Sequence, residues 1–377
     1  MKKRILHLLP EEKITDNIIH NFSSLSNENL FLIYKKNSIE LIENDIKISL
    51  NFDIDFKDFI EKKEVSGILI HGLFPVFFKY ILKIPDDLKI GWFVWGFDIY
   101  NQDVVKKYLY APLTKSMFYS YKERFKSKIY GNKFLKLLYS KITRKPKPIL
   151  DLDNVFNKIN YFCSYIREDY EFFIKNFNTN VEFVDVPFCS IDQYLSGNEN
   201  LRINKDAHNI LLGNSNSKEN NHIDAIKILF SQKLQGQVIV PLSYGNNEHY
   251  KMKVMEFGLK NLPDNFFPLV DFMDRNAYLD ILKSCSTAIF YHYRQQAMGN
   301  IIALLYMGAR VYLSSNNPVY KYCKRIGLHV YDFDIDFKKY QSNKLESKAA
   351  DENRMILQRH FNEAVVFEKM NNLISLL

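Results

Sequence analysis

Asp98 and His71 are the two residues in the first half of the chain whose types and positions suit proton transfer. Asp98 follows the apolar run Ile90–Val94 and ends the segment Trp95-Gly96-Phe97-Asp98. A carboxylate beside an aromatic wall can have its pKa raised towards neutrality, which suits a general base. His71 ends the run Gly67–His71 and is a rival base, because an imidazole exchanges protons near neutral pH.

Each of these candidates has a structural alternative that the sequence leaves open. Asp98 also suits the cap of a helix that begins at Ile99, since aspartate accepts hydrogen bonds from the first N–H groups of a helix. His71 also suits a buried position in which backbone groups satisfy its ring nitrogens. Both interpretations are therefore kept for both residues.

The second half of the chain carries residues suited to binding an anion such as a diphosphate. Arg294, Gln295 and Gln296 stand directly before a predicted helix that holds Gly299. A guanidinium group and the free N–H groups of a helix N-terminus both attract phosphate oxygens. A glycine at this place would let the backbone approach a ligand closely.

Further polar residues follow predicted strands of the second half. The strands are Asn209–Leu212, Gln237–Val240 and Thr287–Tyr291, and the residues at their ends are Gly213, Asn214 and Ser215, then Ser243 and Tyr244, and then Tyr291 and His292. Ligands of open parallel sheets lie outside the carboxyl ends of the strands, so these loops are predicted to share one site.

Metal and cofactor chemistry finds little support in the sequence. Asp53-Ile54-Asp55 and Asp332-Phe333-Asp334-Ile335-Asp336 have the spacing of a metal-bridged diphosphate site. Both alternate with apolar residues as half-buried edge strands do, so we predict structural roles and no metal. The four cysteines form no Cys-x-x-Cys pair, which argues against zinc and a disulfide scaffold. Nicotinamide and P-loop motifs do not occur, and no cofactor is predicted.

These candidate residues require a scaffold of strands and helices, and the sequence predicts one. Short apolar runs alternate with helical stretches, which is typical of an α/β protein with parallel sheets. A chain of 377 residues exceeds the usual size of a single core, so we expect two domains. The polar stretch Ser190–His208 would separate residues 1–190 from residues 208–350. Their loops are expected to face each other across a cleft.

The net charge of +8 is concentrated in one segment. Residues 101–150 hold 13 Lys or Arg and 2 acidic residues, whereas the other residues hold 38 and 41. Within residues 106–147 these charges interleave with Phe, Leu and Tyr, which suits a helix lying on an anionic membrane surface. The alternative is an ordinary helix with a basic face and aromatic residues in the core. The slightly acidic remainder argues against nucleic acid as a partner.

The loops described above resemble motifs of a known family, the bacterial TDP-Fuc4NAc:lipid II 4-acetamidofucosyltransferases of the enterobacterial common antigen type. The resembling segments are His71-Gly72-Leu73-Phe74, Trp95-Gly96-Phe97-Asp98-Ile99-Tyr100, Leu212-Gly213-Asn214-Ser215 with Asn221-His222-Ile223, Val240-Pro241-Leu242-Ser243-Tyr244 with Asn246-Asn247-Glu248, and Arg294-Gln295-Gln296 with Gly299. Their order and spacing agree over roughly residues 65–320. One departure is Ala297, which stands where the family has glycine.

The resemblance implies an α/β fold of the GT-B type, two Rossmann-like domains that face each other across a cleft, and a glycosyltransferase activity. The second domain would bind the nucleotide sugar, and the first would bind a lipid-linked acceptor. A last helix, within residues 352–377, would cross back to the first domain.

The resemblance also implies roles for the candidate residues. Asp98, or else His71, would take the proton of the acceptor hydroxyl, and Trp95 would stack on a sugar beside Gly96. The residues that would hold the donor are Gly213, Asn214, Ser215, Ser243, Tyr244, Glu248, Tyr291, His292, Arg294, Gln295, Gln296 and Gly299. The alternatives are that residues 213–215 form a simple polar loop and that Tyr244 only packs.

The expected reaction moves 4-acetamido-4,6-dideoxygalactose, or a similar deoxy-amino sugar, from a dTDP-sugar to an undecaprenyl-diphosphate-linked saccharide, without a metal ion. No leader or membrane-spanning segment is predicted, so we expect a cytoplasmic enzyme that is peripheral on the inner face of the cell membrane. Residues 106–147 would contact anionic lipid there. The alternatives are a GT-B transferase that uses a UDP- or GDP-sugar and another acceptor, and a non-catalytic protein that binds anionic lipid.

Overall fold

The chain folds into two compact units. A computed structural model describes residues 2–12, 14–35, 38–50, 55–102, 104–130, 135, 138–139, 148–245, 247–340 and 343–377. The first unit comprises Met1–Ile99, Leu138–Gln193 and Phe361–Leu377, and the second comprises Tyr100–Leu137 and Tyr194–His360. Among the described residues, no helix combines the length and the apolar composition needed to cross a membrane.

The described part of the first unit contains an eight-stranded sheet in the order β4-β3-β2-β1-β5-β6-β7-β8. The strands are β1 Arg4–Pro10, β2 Glu28–Tyr34, β3 Ile39–Glu43, β4 Ile46–Leu50, β5 Gly67–His71, β6 Lys89–Phe93, β7 Tyr161–Cys163 and β8 Glu182–Val184. Strands β1, β2 and β5 to β8 pair in parallel, and β3 and β4 pair antiparallel at one edge. Asn44 and Asp45, at φ 50° and 63°, make the tight turn between β3 and β4.

The described part of the second unit contains a six-stranded parallel sheet in the order β11-β10-β9-β12-β13-β14. The strands are β9 Asn209–Leu212, β10 Val238–Pro241, β11 Phe266–Leu269, β12 Cys285–Phe290, β13 Arg310–Leu313 and β14 Tyr331–Asp332. Relative to the chain this order reads 3-2-1-4-5-6, the doubly wound arrangement in which the direction of winding reverses between β9 and β12.

Helices pack against both sheets. Those of the first unit are α1 Thr15–Ser23, α2 Phe56–Lys62, α3 Phe78–Ile81, α4 Phe97–Tyr100 (its last residue lies in the second unit), α7 Pro148–Lys158, α8 Arg167–Asn176, α9 Ile191–Tyr194 (likewise ending in the second unit) and α17 Glu363–Leu376. Those of the second unit are α5 Pro112–Phe118, α6 Tyr121–Tyr130, α10 His222–Phe230, α11 Glu248–Asn261, α12 Arg275–Ser284, α13 Met298–Met307, α14 Pro318–Arg325, α15 Phe333–Tyr340 and α16 Ser347–Phe361. Helix α16 ends on Phe361, which belongs to the first unit.

The C-terminal segment forms two helices, where the sequence predicted one from Glu352 to Leu376. Asn362 interrupts the helix, and its side chain accepts a hydrogen bond from Val365 N at 3.0 Å, which starts α17. Val366, Met370 and Leu373 on α17 are fully buried in the core of the first unit. The apolar face of the last helix therefore completes that core.

The first part of the basic segment belongs to the second unit, whereas the sequence analysis assigned residues 106–147 to the first domain. The N-terminus of α5 rests on Asp224, whose carboxylate accepts hydrogen bonds from Leu113 N (2.7 Å) and Thr114 N (2.8 Å). Ala111 and Phe118 lie in the core of the second unit. A carboxylate at a helix N-terminus and two core contacts explain this placement. Residues 131–134, 136–137 and 140–147 lie outside the described residues.

The alternation of residues in the acidic run Asp332–Asp336 predicted an edge strand, and this prediction is wrong for most of the run. After the short strand β14 the run starts α15, because Asp332 accepts hydrogen bonds from the N–H groups of Asp334 (2.8 Å) and Ile335 (3.1 Å). Asp55 of the other acidic run caps α2 in the same way, while residues 51–54 lie outside the described part. Asp332 and Asp55 therefore serve as helix caps.

Candidate functional site

The switch point between β9 and β12 places two polar loops side by side in the second unit. The first loop, residues 213–217, follows β9, and the second, residues 291–297, follows β12. The Gly213 N–H donates to the carbonyl of Ile289 at 2.9 Å, which ties the first loop to the end of β12. The structure thus brings together the residues that the sequence predicted at these two strand ends.

The first loop is folded around the side chain of Asn220. The Asn220 amide group donates to the carbonyls of Ser215 (3.0 Å) and Ser217 (3.1 Å), and its Oδ1 accepts from Asn214 N (3.0 Å). Gly213 has φ +71°, and a Cβ there would lie 2.4 Å from Nε2 of His222. Only glycine therefore fits at the start of this loop.

His292 and Gln296 join the second loop to the first. Nε2 of His292 lies 2.9 Å from Oδ1 of Asn220, and Nε2 of Gln296 donates to Oδ1 of Asn214 at 2.9 Å. Gln296 also reaches the Ser215 hydroxyl at 3.4 Å. The two loops therefore form one hydrogen-bonded network.

Several buried polar atoms of the second loop lack a protein partner. Within the described part of the chain, Arg294 Nε, Gln295 Oε1, Gln296 Oε1 and His292 Nδ1 are buried and make no hydrogen bond. Buried polar atoms in folded proteins are nearly always paired, so atoms of this kind indicate a ligand or bound water. The guanidinium of Arg294 is anchored by one bond to the Gln295 carbonyl at 3.0 Å.

Helix α13 begins directly after this loop with an uncapped N-terminus. Ala297 precedes it at φ +60°, a left-handed conformation that costs an alanine free energy, and no side chain caps the helix. Free N–H groups at such an end attract an anion. A Cβ on Gly299 would meet Tyr194 only at 3.7 Å, so packing does not demand a glycine there.

The loop after β10 is more open. Tyr244 is 57% exposed, Ser243 is half-buried, and the Glu248 side chain is exposed and pairs with Lys251 at 3.6 Å. Asn247 starts α11 by accepting a hydrogen bond from Tyr250 N at 3.1 Å. Asn246 lies outside the described residues. The exposure of Tyr244 leaves its ring accessible to a ligand.

Tyr291 is held away from solvent. Its hydroxyl donates to Asp334 Oδ1 at 2.6 Å, and the Tyr293 hydroxyl lies 3.4 Å from it. Burial, followed by these hydrogen bonds, raises the pKa of Tyr291, and burial raises the pKa of Asp334. Tyr291 therefore fixes the end of β12 against α15.

In the first unit, Asp98 is buried and hydrogen-bonded on several sides. Its carboxylate accepts from Leu73 N (3.1 Å), from the indole of Trp92 (2.8 Å) and from Trp95 N (3.2 Å), and the residue is only 2% exposed. Burial raises the pKa of Asp98, while the hydrogen bonds oppose that shift. The carboxylate thus clamps the loops after β5 and β6.

His71 lies in the core of the first unit. Its Nε2 is 3.0 Å from Nδ1 of His7, and its ring stacks on Phe93 with a centroid distance of 4.9 Å. Burial and the neighbouring His7 hold the pKa of His71 well below its usual range. The partner is another histidine rather than the backbone, and the ring has no exposed surface.

Trp95 and Gly96 form the loop that Asp98 holds. Gly96 has φ +84°, which favours glycine, and the Trp95 ring packs edge-on against Phe74 at 5.9 Å. Phe97 lies 4.7 Å from Phe74 by ring centroids. The strand ends of the first unit thus present an aromatic cluster.

Two residues that hold the second-unit loops, Asn220 and Asn221, have no role in the prediction from sequence, although Asn221 lies in one of the resembling segments. Asn220 organises the first loop, and Asn221, at φ +53°, links that loop to Ala111 N and to the carbonyl of Tyr291. The signal for Asn221 was available, because asparagine tolerates the left-handed conformation better than most residues. No sequence pattern marks Asn220, although Asn214, Ser215 and Ser217 are close to it along the chain and only His292 is distant.

Comparison with protein families finds a match to this chain. A family model described as 4-alpha-L-fucosyltransferase glycosyl transferase group 56 matches residues 164–367, which is more than half of the chain.

Solved structures resemble the whole chain. A glycosyltransferase from Rickettsia africae has a TM-score of 0.59 at 10% identity, covering 99% of this chain and 98% of that one. Sucrose-phosphate synthase from Thermosynechococcus elongatus has a TM-score of 0.59 at 9% identity, covering 100% and 99%. The alpha,alpha-trehalose 6-phosphate synthase from Burkholderia multivorans has a TM-score of 0.57 at 7% identity, covering 100% and 96%. At these identities the likeness concerns the fold.

Proposed function

We propose a specific reaction for this chain. The chain belongs to the glycosyl transferase group 56 family and is a glycosyltransferase with a GT-B fold. The family match and the fold likeness confirm the enzyme class and the fold class that were expected from the sequence. The proposed reaction transfers 4-acetamido-4,6-dideoxygalactose, or a similar deoxy-amino sugar, from a dTDP-sugar to an undecaprenyl-diphosphate-linked saccharide.

The observation that carries the proposal is the polar network at the switch point of the second unit. Arg294 supplies a cation, the uncapped start of α13 supplies N–H groups, and the loop after β9 supplies Gly213, Asn214 and Ser215. Together they suit a diphosphate, whose developing charge must be stabilised when the sugar leaves. The exposed Tyr244 is available to a base or a ribose, and Glu248 to a ribose hydroxyl.

The proposal assigns the acceptor to the strand ends of the first unit. Trp95 and Phe74 offer aromatic surface of the kind that packs on a sugar ring. Asp98 supports turnover there chiefly by holding the loops after β5 and β6, since its carboxylate already accepts three N–H groups of other residues. His71 is not used in the proposal, because its Nε2 is joined to His7 in the interior of the first unit and it lies on no polar loop.

The basic segment would hold the enzyme at the inner face of the membrane. Among its described residues, Tyr121 is 81% exposed, Phe125 is 53% exposed and Tyr108 is 53% exposed, while Phe118 and Ala111 are in the core. The core residues support the interpretation as an ordinary helix with aromatic residues in the core, and the exposed aromatic residues support the proposed membrane contact. Exposed aromatic residues between lysines favour contact with an anionic bilayer.

The test of the donor is a binding series by calorimetry with dTDP, UDP, GDP and CDP, each with and without EDTA. We expect dTDP to bind most tightly and EDTA to have no effect, because a guanidinium and helix N–H groups replace a metal. Preference for UDP or GDP would overturn the dTDP assignment, and loss of binding in EDTA would overturn the metal-independent mechanism. Absence of binding by all four would overturn the proposed site.

The test of the acceptor is transfer from dTDP-4-acetamido-4,6-dideoxygalactose to undecaprenyl-diphosphate-linked saccharide, followed by mass spectrometry. A product heavier by one sugar residue is expected, and transfer to a water-soluble saccharide alone would overturn the lipid assignment.

The test of the basic segment as a membrane-binding surface is flotation with vesicles of phosphatidylglycerol, with phosphatidylcholine vesicles as the control. Tyr121→Ser with Phe125→Ser should weaken flotation, and unchanged flotation would contradict the membrane role.

A further inference from the structure

The orientation of the Asn220 amide is fixed by backbone groups. Its Nδ2 lies 3.0 Å from the carbonyl oxygen of Ser215 and 3.1 Å from that of Ser217, and carbonyl oxygens only accept hydrogen bonds. Its Oδ1 lies 3.0 Å from the backbone N–H of Asn214, which only donates. The atom that faces His292 is therefore an acceptor.

This orientation sets the tautomer of His292. Nε2 of His292 lies 2.9 Å from the Asn220 Oδ1, so this nitrogen must carry the proton that is donated. The ring is fully buried, and burial, followed by the charges of Arg294 and His222, holds the pKa of His292 well below its usual range. The neutral imidazole then carries a lone pair on Nδ1.

The lone pair on Nδ1 has no partner in the described part of the chain. Gln295 Oε1 and Gln296 Oε1, on the same loop, are likewise buried acceptors without a donor. Unpaired acceptors repel phosphate oxygens, which carry lone pairs and negative charge. They suit a group that brings its own hydrogen, such as a hydroxyl or an amide N–H.

We infer that His292 Nδ1 accepts a hydrogen bond from a hydroxyl group of the bound nucleotide sugar, with Asn220 as the positioning residue that fixes the tautomer. This inference rests on the proposed donor site. It adds that different residues of the second loop bind different chemical groups of the donor. Arg294 and the start of α13 face the diphosphate, while His292 accepts a hydrogen bond from a hydroxyl of the sugar or of the deoxyribose. A hydroxyl held against a buried acceptor also makes that position selective, since a ligand without it leaves the acceptor unpaired.

The experiment compares His292→Gln with His292→Asn by calorimetry. A glutamine can still reach Asn220 but places no acceptor near the former Nδ1, whereas an asparagine places a polar atom near Nδ1 and loses the contact with Asn220. We expect His292→Gln to bind dTDP-4-acetamido-4,6-dideoxygalactose about tenfold more weakly than the unchanged protein, and His292→Asn to retain more of the affinity. The reverse order of affinities would overturn the inference.

A second ligand locates the hydroxyl. If His292→Gln weakens the binding of dTDP as much as that of the nucleotide sugar, the hydroxyl is on the deoxyribose. If it weakens the binding of the nucleotide sugar alone, the hydroxyl is on the transferred sugar. Unchanged binding of both ligands would overturn the inference and assign Nδ1 to a buried water. Failure of the unchanged protein to bind either ligand would instead count against the proposed function.

His7→Gln is the matched control. His7 is also fully buried and lies in the first unit, so the same substitution there perturbs a core histidine without touching the proposed donor site. We expect unchanged affinity for both ligands. Equal weakening by His7→Gln and His292→Gln would show a general loss of folding and would overturn a specific role for His292.

Discussion

The strand ends of the two units carry similar residue types but use them differently. In the first unit the Asp98 carboxylate accepts three N–H groups, and His71 is joined to His7. In the second unit the loops are also tied together, yet Arg294 Nε and three buried acceptors of one loop have no partner among the described residues. At the strand ends of the first unit, His71 Nδ1 and Trp95 Nε1 are also buried without a partner in the described part of the chain. The comparison therefore concerns density: the second unit gathers its unpaired polar atoms on a single loop, which favours that loop as the place where a ligand binds.

The backbone shows the same difference. The first unit places glycine where its strand-end loops need positive φ, at Gly72 (76°) and Gly96 (84°). The second unit also has glycines in this conformation, Gly213 (71°) and Gly245 (114°), but it adds Ala297 (60°) and Asn221 (53°). Strained conformations at non-glycine residues concentrate where ligands bind.

The largest expected effect is that of Asp98→Ala on the stability of the first unit. The change leaves three buried N–H groups without an acceptor, which should cost about 4 kcal/mol of unfolding free energy. The only tryptophans of the sequence, Trp92 and Trp95, lie in the first unit, so tryptophan fluorescence during urea titration follows that unit.

The matched control for this prediction is Asp86→Ala, which removes an exposed carboxylate paired with Lys158. It should cost less than about 1 kcal/mol. Asp98→Ala with unchanged stability and abolished turnover would contradict the clamp and would restore Asp98 as a general base.

The second-largest expected effect is a loss of stability of the first unit at acidic pH. Burial lowers the pKa of His7 to about 3, and it also lowers that of His71. Because both pKa values are depressed on folding, the stability present above pH 6.5 is lost as the pH falls and the unfolded histidines take up protons. Between pH 7.5 and 5.5 the loss should approach about 1.4 kcal/mol per histidine.

The same fluorescence titration, repeated at these two pH values, measures the loss. His20→Gln is the control, since His20 is exposed, and it should leave the pH dependence unchanged. If the free energy of unfolding does not vary between these two pH values, the pKa values of His7 and His71 are not lowered by folding, and the prediction is wrong.

Arg294→Ala should affect ligand binding in the second unit and leave stability nearly unchanged. A hydrogen bond between charged groups contributes about 1.5–3 kcal/mol, so dTDP should bind roughly tenfold to a hundredfold more weakly. Calorimetry measures the affinity. Arg167→Ala, at an exposed arginine of the first unit that pairs with Glu171, should bind dTDP normally. Equal affinities for Arg294→Ala and the unchanged protein would remove the proposed anion site.

Much of the second unit could be predicted from its sequence, because buried parallel strands form short apolar runs. Asn209–Leu212 is found at the predicted bounds, and the strands predicted at Gln237–Val240 and Thr287–Tyr291 are found at Val238–Pro241 and Cys285–Phe290. The helix predicted to hold Gly299 is found as α13, which Gly308 ends at φ +96°.

Other parts of the structure could not be predicted, because their contacts do not follow from the pattern of residue types. Asp224 fixes the start of α5 more than a hundred residues earlier, so no local pattern assigns that helix to the second unit. The alternation in Asp332–Asp336 predicted a strand, but capping by Asp332 favoured a helix. The roles of Asp98 and Asn220 follow from burial and hydrogen-bond geometry, which residue type alone does not determine.

The smallest expected effect is that of Ala297→Gly, which tests whether strain marks the ligand-binding unit. An alanine in the left-handed conformation costs about 1–2 kcal/mol, part of which a glycine recovers, so the second unit should gain about 1 kcal/mol of stability. Urea titration followed by circular dichroism measures the unfolding of the whole chain, and the tryptophan fluorescence measures that of the first unit. A gain seen by circular dichroism but not by fluorescence belongs to the second unit. If Ala297 also holds the start of α13 rigid for the diphosphate, the same variant should bind dTDP a few-fold more weakly. A gain in stability together with tighter binding would show that strain at this loop is not part of how the second unit meets its ligand.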